Sequence, residues 1–167
     1  DAERAGAAAS ARLDEAAARA ALAASCGSAA WLEAMLAGWP YASASELFEA
    51  AERSFDALDG DDWREAFAAH PRIGDLESLR RRHPGTAALE RSEQAGAESA
   101  DEATLAALAR GNRDYEERFG HVFLICAAGK SAGEMLAELE RRIVHDPERE
   151  LAIAAEEQRK ITALRLQ

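Results

Sequence analysis

Aromatic residues are scarce in this chain, at 6% of 167 residues. Much of the 48% hydrophobic content is alanine, which favours helix and lets helices pack closely. Cysteine is nearly absent: Cys26 and Cys126 stand far apart. Two such residues make neither a disulfide framework nor a metal-ligand cluster, and a reducing cytoplasm is the simpler reading. Positive charge is in deficit, with 20 basic against 31 acidic residues and a net charge of -11. That balance argues against general binding to nucleic acid or to an anionic membrane, both of which need a basic surface. It leaves room for a small anionic substrate, because a few arginines in a pocket override the average field. No apolar run approaches the roughly 20 residues that span a bilayer. The opening DAERAGAAAS is polar, without a signal-peptide core. There is no glycine-rich phosphate loop and no nucleophile elbow.

What is present is helical patterning nearly throughout. The length suits one domain with a single sizeable core. An alanine-rich helix is expected over residues 4–25, ending near Cys26-Gly27. Further helices are expected over 28–38 and 43–58, the latter with Leu47, Ala51, Ser54, Phe55 and Leu58 at helical steps. DDWREAFAAH begins with acids at its positive end and stops at Pro71. Residues 71–88, with two Pro and two Gly, read as loop. Ser99 and Glu102, then Ser131 and Glu134, have capping-box spacing, and Gly120 ends the helix between them. Asp146 and Pro147 form a strong helix start. HVFLICAA alone looks strand-like; without a partner strand it is a buried helix or an extended core segment. The expectation is an all-α, bundle-like single domain covering residues 1–167.

Candidate chemistry begins at AFAAHPRIGD. Pro71 disfavours the α region for His70, so the imidazole sits at a kink where a helix stops. Such a histidine is either an exposed group interacting with the helix dipole or a general acid or base carried on a loop. His83-Pro84 follows three arginines and reads as surface, as do Arg72 and Arg80 to Arg82; His121 and His145 have no site-like surroundings. Glu93 and Gln94 either open an exposed helix or hold the N–H groups of a polar ligand. On the last helix, Leu151, Ala154, Gln158, Ile161 and Arg165 share one face. An arginine ending that stripe either snorkels outward or grips an anion with two parallel hydrogen bonds. The run from Phe119 to Gly129 is core packing or a pocket wall with backbone groups facing a ligand. Cys126 within it reads as buried and inert rather than as a nucleophile. No histidine and carboxylate spacing suggests a metal.

Taken in order, AHPRIGD, SEQAG, GNRDYEERFGHVFLICAAGKS and DPERELAIAAEEQRKITALRL together resemble one family. It is the 2-oxo-4-hydroxy-4-carboxy-5-ureidoimidazoline (OHCU) decarboxylases of urate degradation. The resemblance runs from Cys26 to Leu166; the first 25 residues add little. It implies an all-α, cofactor-free carboxy-lyase of purine catabolism, usually homodimeric, that converts OHCU to (S)-allantoin. It implies catalytic roles for His70, Glu93 and Arg165 and a substrate contact at Pro71. It also implies a binding segment of Glu90, Arg91, Ser92, Glu93 and Gln94, and a second of Phe123, Leu124, Ile125, Cys126 and Ala127, largely through backbone. The family often carries Ser three residues before the motif Glu; Glu90 stands there, with the Ser92 hydroxyl nearby. The expected partner is a small molecule, not nucleic acid or membrane, and the expected location is the bacterial cytoplasm. The rival expectation is a non-catalytic helical interaction module, and a weaker third one a Cys126–His70 hydrolase.

Overall fold

The computed structural model describes residues 15–72 and 102–167. Among them the chain is all-helical, as expected: α1 (Glu15–Ser25), α2 (Ala29–Ala37), α3 (Ala44–Asp56), α4 (Gly60–Ala68), α5 (Glu102–Phe119), α6 (Ala132–Arg142) and α7 (Pro147–Arg165). The helix starts follow local chemistry. Side chains of Ser28, Ser43 and Asp146 accept backbone N–H groups of α2, α3 and α7 that have no partner within the helix. Ser131 and Glu134 form the expected reciprocal box at α6. Asp59 and Asp62 form another at α4, which therefore begins one residue before the expected Asp61. Gly120 closes α5 at φ 77°, a left-handed conformation that glycine adopts without a Cβ clash. The Ser99–Glu102 box, the start of the N-terminal helix and residues 73–88 of the expected loop lie outside the described residues. No described helix is long and apolar enough to cross a membrane.

Packing divides around the strand-like segment. α7 packs on α1, α3 and α4, and α5 packs on α6. HVFLICAA is extended, without a ladder partner among the described residues. Its side chains alternate as extended chain requires. Val122, Leu124 and Cys126 join the core of α1 to α4 and α7, whereas Phe123, Ile125 and Ala127 join the core of α5 and α6. The few aromatics are concentrated in one file through both cores. Trp31 stacks on Phe55 at 5.4 Å between centroids, Phe55 on Trp63 at 5.3 Å, and Phe67 meets His121 at 5.1 Å. Tyr115 contacts both His121 and Phe123. His121 thus has a definite place, and burial there pushes its pKa below the usual histidine value.

The file ends at an ion pair. Arg142 and Glu150 are both fully buried. Arg142 Nε donates to Glu150 Oε1 at 2.6 Å, Arg142 Nη1 donates to the Leu124 carbonyl at 2.7 Å, and the guanidinium lies 4.7 Å above the Phe123 ring. The Tyr115 hydroxyl donates to Glu150 Oε1 at 2.5 Å, and burial keeps that phenol protonated far above its usual range. His145 Nδ1 sits 3.1 Å from Glu150 Oε2. Five groups from α5, α6, the α6–α7 turn, α7 and the extended segment thereby satisfy one another. Removing one partner of such a pair strands a buried charge, which costs about 3–5 kcal/mol. Arg142→Met and Glu150→Gln are each expected to lower unfolding free energy by about that amount in chemical denaturation. The double variant is expected to lose much less than the sum, because neither charge is then left alone.

Candidate active site

α4 ends in a turn that carries His70 inward. The His70 N–H donates to the Phe67 carbonyl at 3.1 Å, and the residue is only 6% exposed. This excludes the exposed helix-end reading. Pro71 is buried beside it. His70 Nε2 lies 2.8 Å from Gln158 Oε1 on α7. Gln158 Nε2 donates to Thr162 Oγ1 at 3.0 Å, one turn along, and the Thr162 hydroxyl donates to the Ser25 carbonyl at the end of α1, also at 3.0 Å. Gln158 and Thr162 are buried too.

Arg165 reaches the same end of α1. Its Nη1 donates to the Ala24 carbonyl at 3.2 Å, and the side chain is half-buried. The stripe read from sequence is oriented as its apolar character requires: Ala154, Gln158 and Ile161 are buried, with Leu151 and Arg165 partly exposed at the two ends. Between α1 and α2, Cys26-Gly27 presses against the turn that carries His70. A Cβ built on Gly27 would lie 2.4 Å from Ala69 Cβ, so glycine is what permits the approach. Cys26 lies close to Thr162 and Arg165, but burial pushes its thiol up to about 11, so it is neutral at physiological pH.

Phe123 to Ala127 are all buried. Two of their backbone groups are taken by protein side chains: Arg142 holds the Leu124 carbonyl, and Glu157 Oε2 accepts the Cys126 N–H at 2.7 Å. In extended chain, successive residues direct their N–H and C=O groups to opposite edges. The edge bearing residues 124 and 126 therefore faces Arg142 and Glu157, and the edge of Phe123, Ile125 and Ala127 is the other one. Glu157 and Gln158 are neighbours on α7, so one turn of that helix both fixes this segment and binds His70.

Glu90, Arg91, Ser92, Glu93 and Gln94 lie outside the described residues. Arg72 is exposed, as expected, and also forms a two-pronged ion pair with Glu116, at 2.6 and 2.7 Å, which ties the chain after His70 to α5. His145, read as having no site-like surroundings, is bound to the buried Glu150. Sequence reading did not single out Thr162 or Ser25, and it placed Gln158 on the stripe without assigning it a task. The available signal was a glutamine at the centre of an otherwise apolar face. Among the described residues, no group of three or more His, Cys, Asp or Glu side chains is placed to hold a metal ion. A shallow hollow between α2 and α3, lined by Tyr41, Glu46 and Arg53, contains none of the expected site residues.

A model of one family, OHCU decarboxylase, matches residues 11–167. Among characterised proteins, the chain is 33% identical over 136 residues to the 2-oxo-4-hydroxy-4-carboxy-5-ureidoimidazoline decarboxylase of Amia calva, covering 80% of this chain and 76% of that protein. It is 30% identical to the protein of the same name from Haloferax volcanii, covering 76% of this chain and 73% of that one. It is 39% identical to the uric acid degradation bifunctional protein TTL of Arabidopsis thaliana over 84% of this chain, but spans only 44% of that longer protein. A crystal structure of an OHCU decarboxylase in the presence of (S)-allantoin superposes with a TM-score of 0.72 at 33% identity, covering 86% of this chain and 92% of that one.

The tight Gly27–Ala69 contact gives a direct check on how His70 is positioned. Gly27→Ala is expected to destabilise the fold by about 1–3 kcal/mol through overpacking. Adding Ala69→Gly removes the clashing methyl and is expected to restore most of the loss, as read by denaturant midpoints of the single and double variants.

Proposed function

This chain belongs to the OHCU decarboxylase family, and we propose that it removes the carboxylate of OHCU to give (S)-allantoin in urate catabolism, as one domain. When the carboxylate leaves as CO2, its bonding electron pair stays on the ring and delocalises into the adjacent C=N. A single product hand then requires a proton delivered to one face. His70 is the proton donor in this reading, since imidazole titrates near neutral pH. Glu93 holds ureido or ring N–H groups. Arg165 orients an anionic or carbonyl group of the substrate; a tight grip on the departing carboxylate would stabilise the ground state and slow the reaction. Pro71, Glu90 to Gln94 and Phe123 to Ala127 complete the contacts with substrate.

The observation that carries the reading is the buried His70, held at Nε2 by Gln158, with Arg165 reaching the same end of α1. Three distant stretches of sequence thereby meet in a chain whose relatives are named for this reaction. The net charge of -11 suits a small-molecule partner better than a polyanion. Two buried thiols fit a reducing cytoplasm, and the family resemblance supports a homodimer.

The test is chiral detection of allantoin formed from freshly generated OHCU. His70→Ala and His70→Gln are expected to abolish the stereospecific excess, a loss on the order of a hundredfold or more, while circular dichroism stays helical. Near-wild-type turnover by a folded His70 variant would remove the assignment. Arg165→Ala is expected to weaken binding of substrate and of allantoin roughly tenfold or more; unchanged affinity in titration calorimetry would count against its orienting role.

A further inference from the structure

We infer that Glu157 is a positioning residue for the proposed reaction: by holding the Cys126 N–H it sets the extended segment against the turn of α7 that binds His70, and so fixes how the segment's other edge meets substrate. The inference rests on the proposed contacts of Phe123 to Ala127 with substrate and adds the group that places them.

Side-chain packing decides which residues of the segment face which core. Apolar contacts are non-directional, however, and tolerate small displacements along the chain. A hydrogen bond to the backbone is directional and does not. Arg142 supplies one at the Leu124 carbonyl and Glu157 one at the Cys126 N–H, each at 2.7 Å. Both are ionic side chains, which make shorter and stronger bonds to backbone groups than neutral partners do. They come from α6 and α7, so the segment is tied to both halves of the fold. The Glu157 bond is the one that refers the segment to His70, because the next residue, Gln158, lies 2.8 Å from the imidazole.

The opposite edge is different. Ile125 lies between the two anchored residues and is 5% exposed, yet among the described residues no hydrogen bond engages its N–H or its carbonyl. Buried backbone groups are almost always paired. An edge left open beside an edge held by two charged side chains is one that a ligand completes. A ligand held there depends on the segment's position to a fraction of an ångström. Glu157 Oε1 meanwhile meets Lys160 Nζ at 2.7 Å, one turn along α7, which steadies the carboxylate. Lys160 is exposed, so that pair is a weak support and the bond to Cys126 is the anchor.

The test separates position from stability. Glu157→Met keeps the length of the side chain and removes the acceptor; Glu157→Gln keeps an acceptor oxygen. In nitrogen-15-labelled protein without substrate, the Cys126 amide is expected to lose roughly tenfold or more of its protection from solvent exchange in Glu157→Met. With freshly generated OHCU, Glu157→Met is expected to raise KM roughly tenfold and to weaken (S)-allantoin binding as much. Its kcat is expected to stay within about threefold of wild type, because His70 and Gln158 are untouched. Glu157→Gln is expected to restore most of the amide protection and of the affinity. Lys160→Met, which removes only the ion pair, is expected to leave KM within about twofold of wild type. A folded Glu157→Met with wild-type KM and allantoin affinity would overturn the inference. So would a Cys126 amide as protected in Glu157→Met as in wild type, or a Lys160→Met variant that raised KM as far as Glu157→Met. If Glu157→Met does not fold, Glu157→Asp, one methylene shorter, is expected to raise KM in the same direction, and a wild-type KM there overturns the inference equally. A wild type without stereospecific turnover sinks the decarboxylase reading and the inference with it, whereas an active wild type with indifferent Glu157 variants sinks the inference alone.

Discussion

The buried Arg142–Glu150 pair holds the rest in register. It is the point where α5, α6, α7 and the extended segment all meet, and its charges have no solvent to fall back on. Two ions removed from water are costly, and their mutual attraction repays that cost only when the remaining hydrogen-bonding capacity is filled. Here Tyr115, His145 and the Leu124 carbonyl fill most of it, while Arg142 Nη2 has only the ion-pair contact with Glu150. The result is less a gain in stability than a choice of geometry: few other arrangements of these helices would leave both charges satisfied. Because Arg142 grips the Leu124 carbonyl, the choice passes to the extended segment, and through Glu157 to the turn of α7 that binds His70.

His70, for its part, is fixed from several directions by different means. Its backbone closes the last turn of α4, the turn rests on Gly27, and the ring is tied to α7. Each restraint comes from a different part of the chain, so none needs to be strong for the ring to be well placed. An acid or base gains from such placement because proton transfer depends steeply on distance and direction. Arg165 reaches the end of α1 at the Ala24 carbonyl and is half-buried.

Much of the fold was legible because caps and breakers are local. Ser131 with Glu134, Asp146 with Pro147, and Gly120 act within a few residues of themselves, and the structure uses them as read. HVFLICAA stayed ambiguous because an apolar run of that length satisfies either period; its neighbours decided the matter by offering an apolar surface on both sides. The ion pair was not read at all. Arg142 follows Arg141 in sequence, and nothing local distinguishes the fully buried one from the one paired with Glu138 at the surface. Glu150, four residues before Ala154 on the buried face of α7, was the overlooked sign. Of the site, His70, Arg165 and the stripe were visible as candidates, but the link from Gln158 through Thr162 to Ser25 crosses most of the chain and exists only after folding. Glu90 to Gln94 rest on the sequence and the family.

The extended segment has one more consequence. Its odd and even side chains belong to different cores, so it is a party wall with tenants on both sides. A larger side chain on one face moves a backbone that the other face is already packed against. The two cores are therefore coupled in sequence: a volume change accepted in the α5–α6 half alters which changes the α1–α4 half accepts next. Along this lineage, substitutions at Phe123, Ile125 and Ala127 should carry partners across the wall, and the order in which they were fixed should matter.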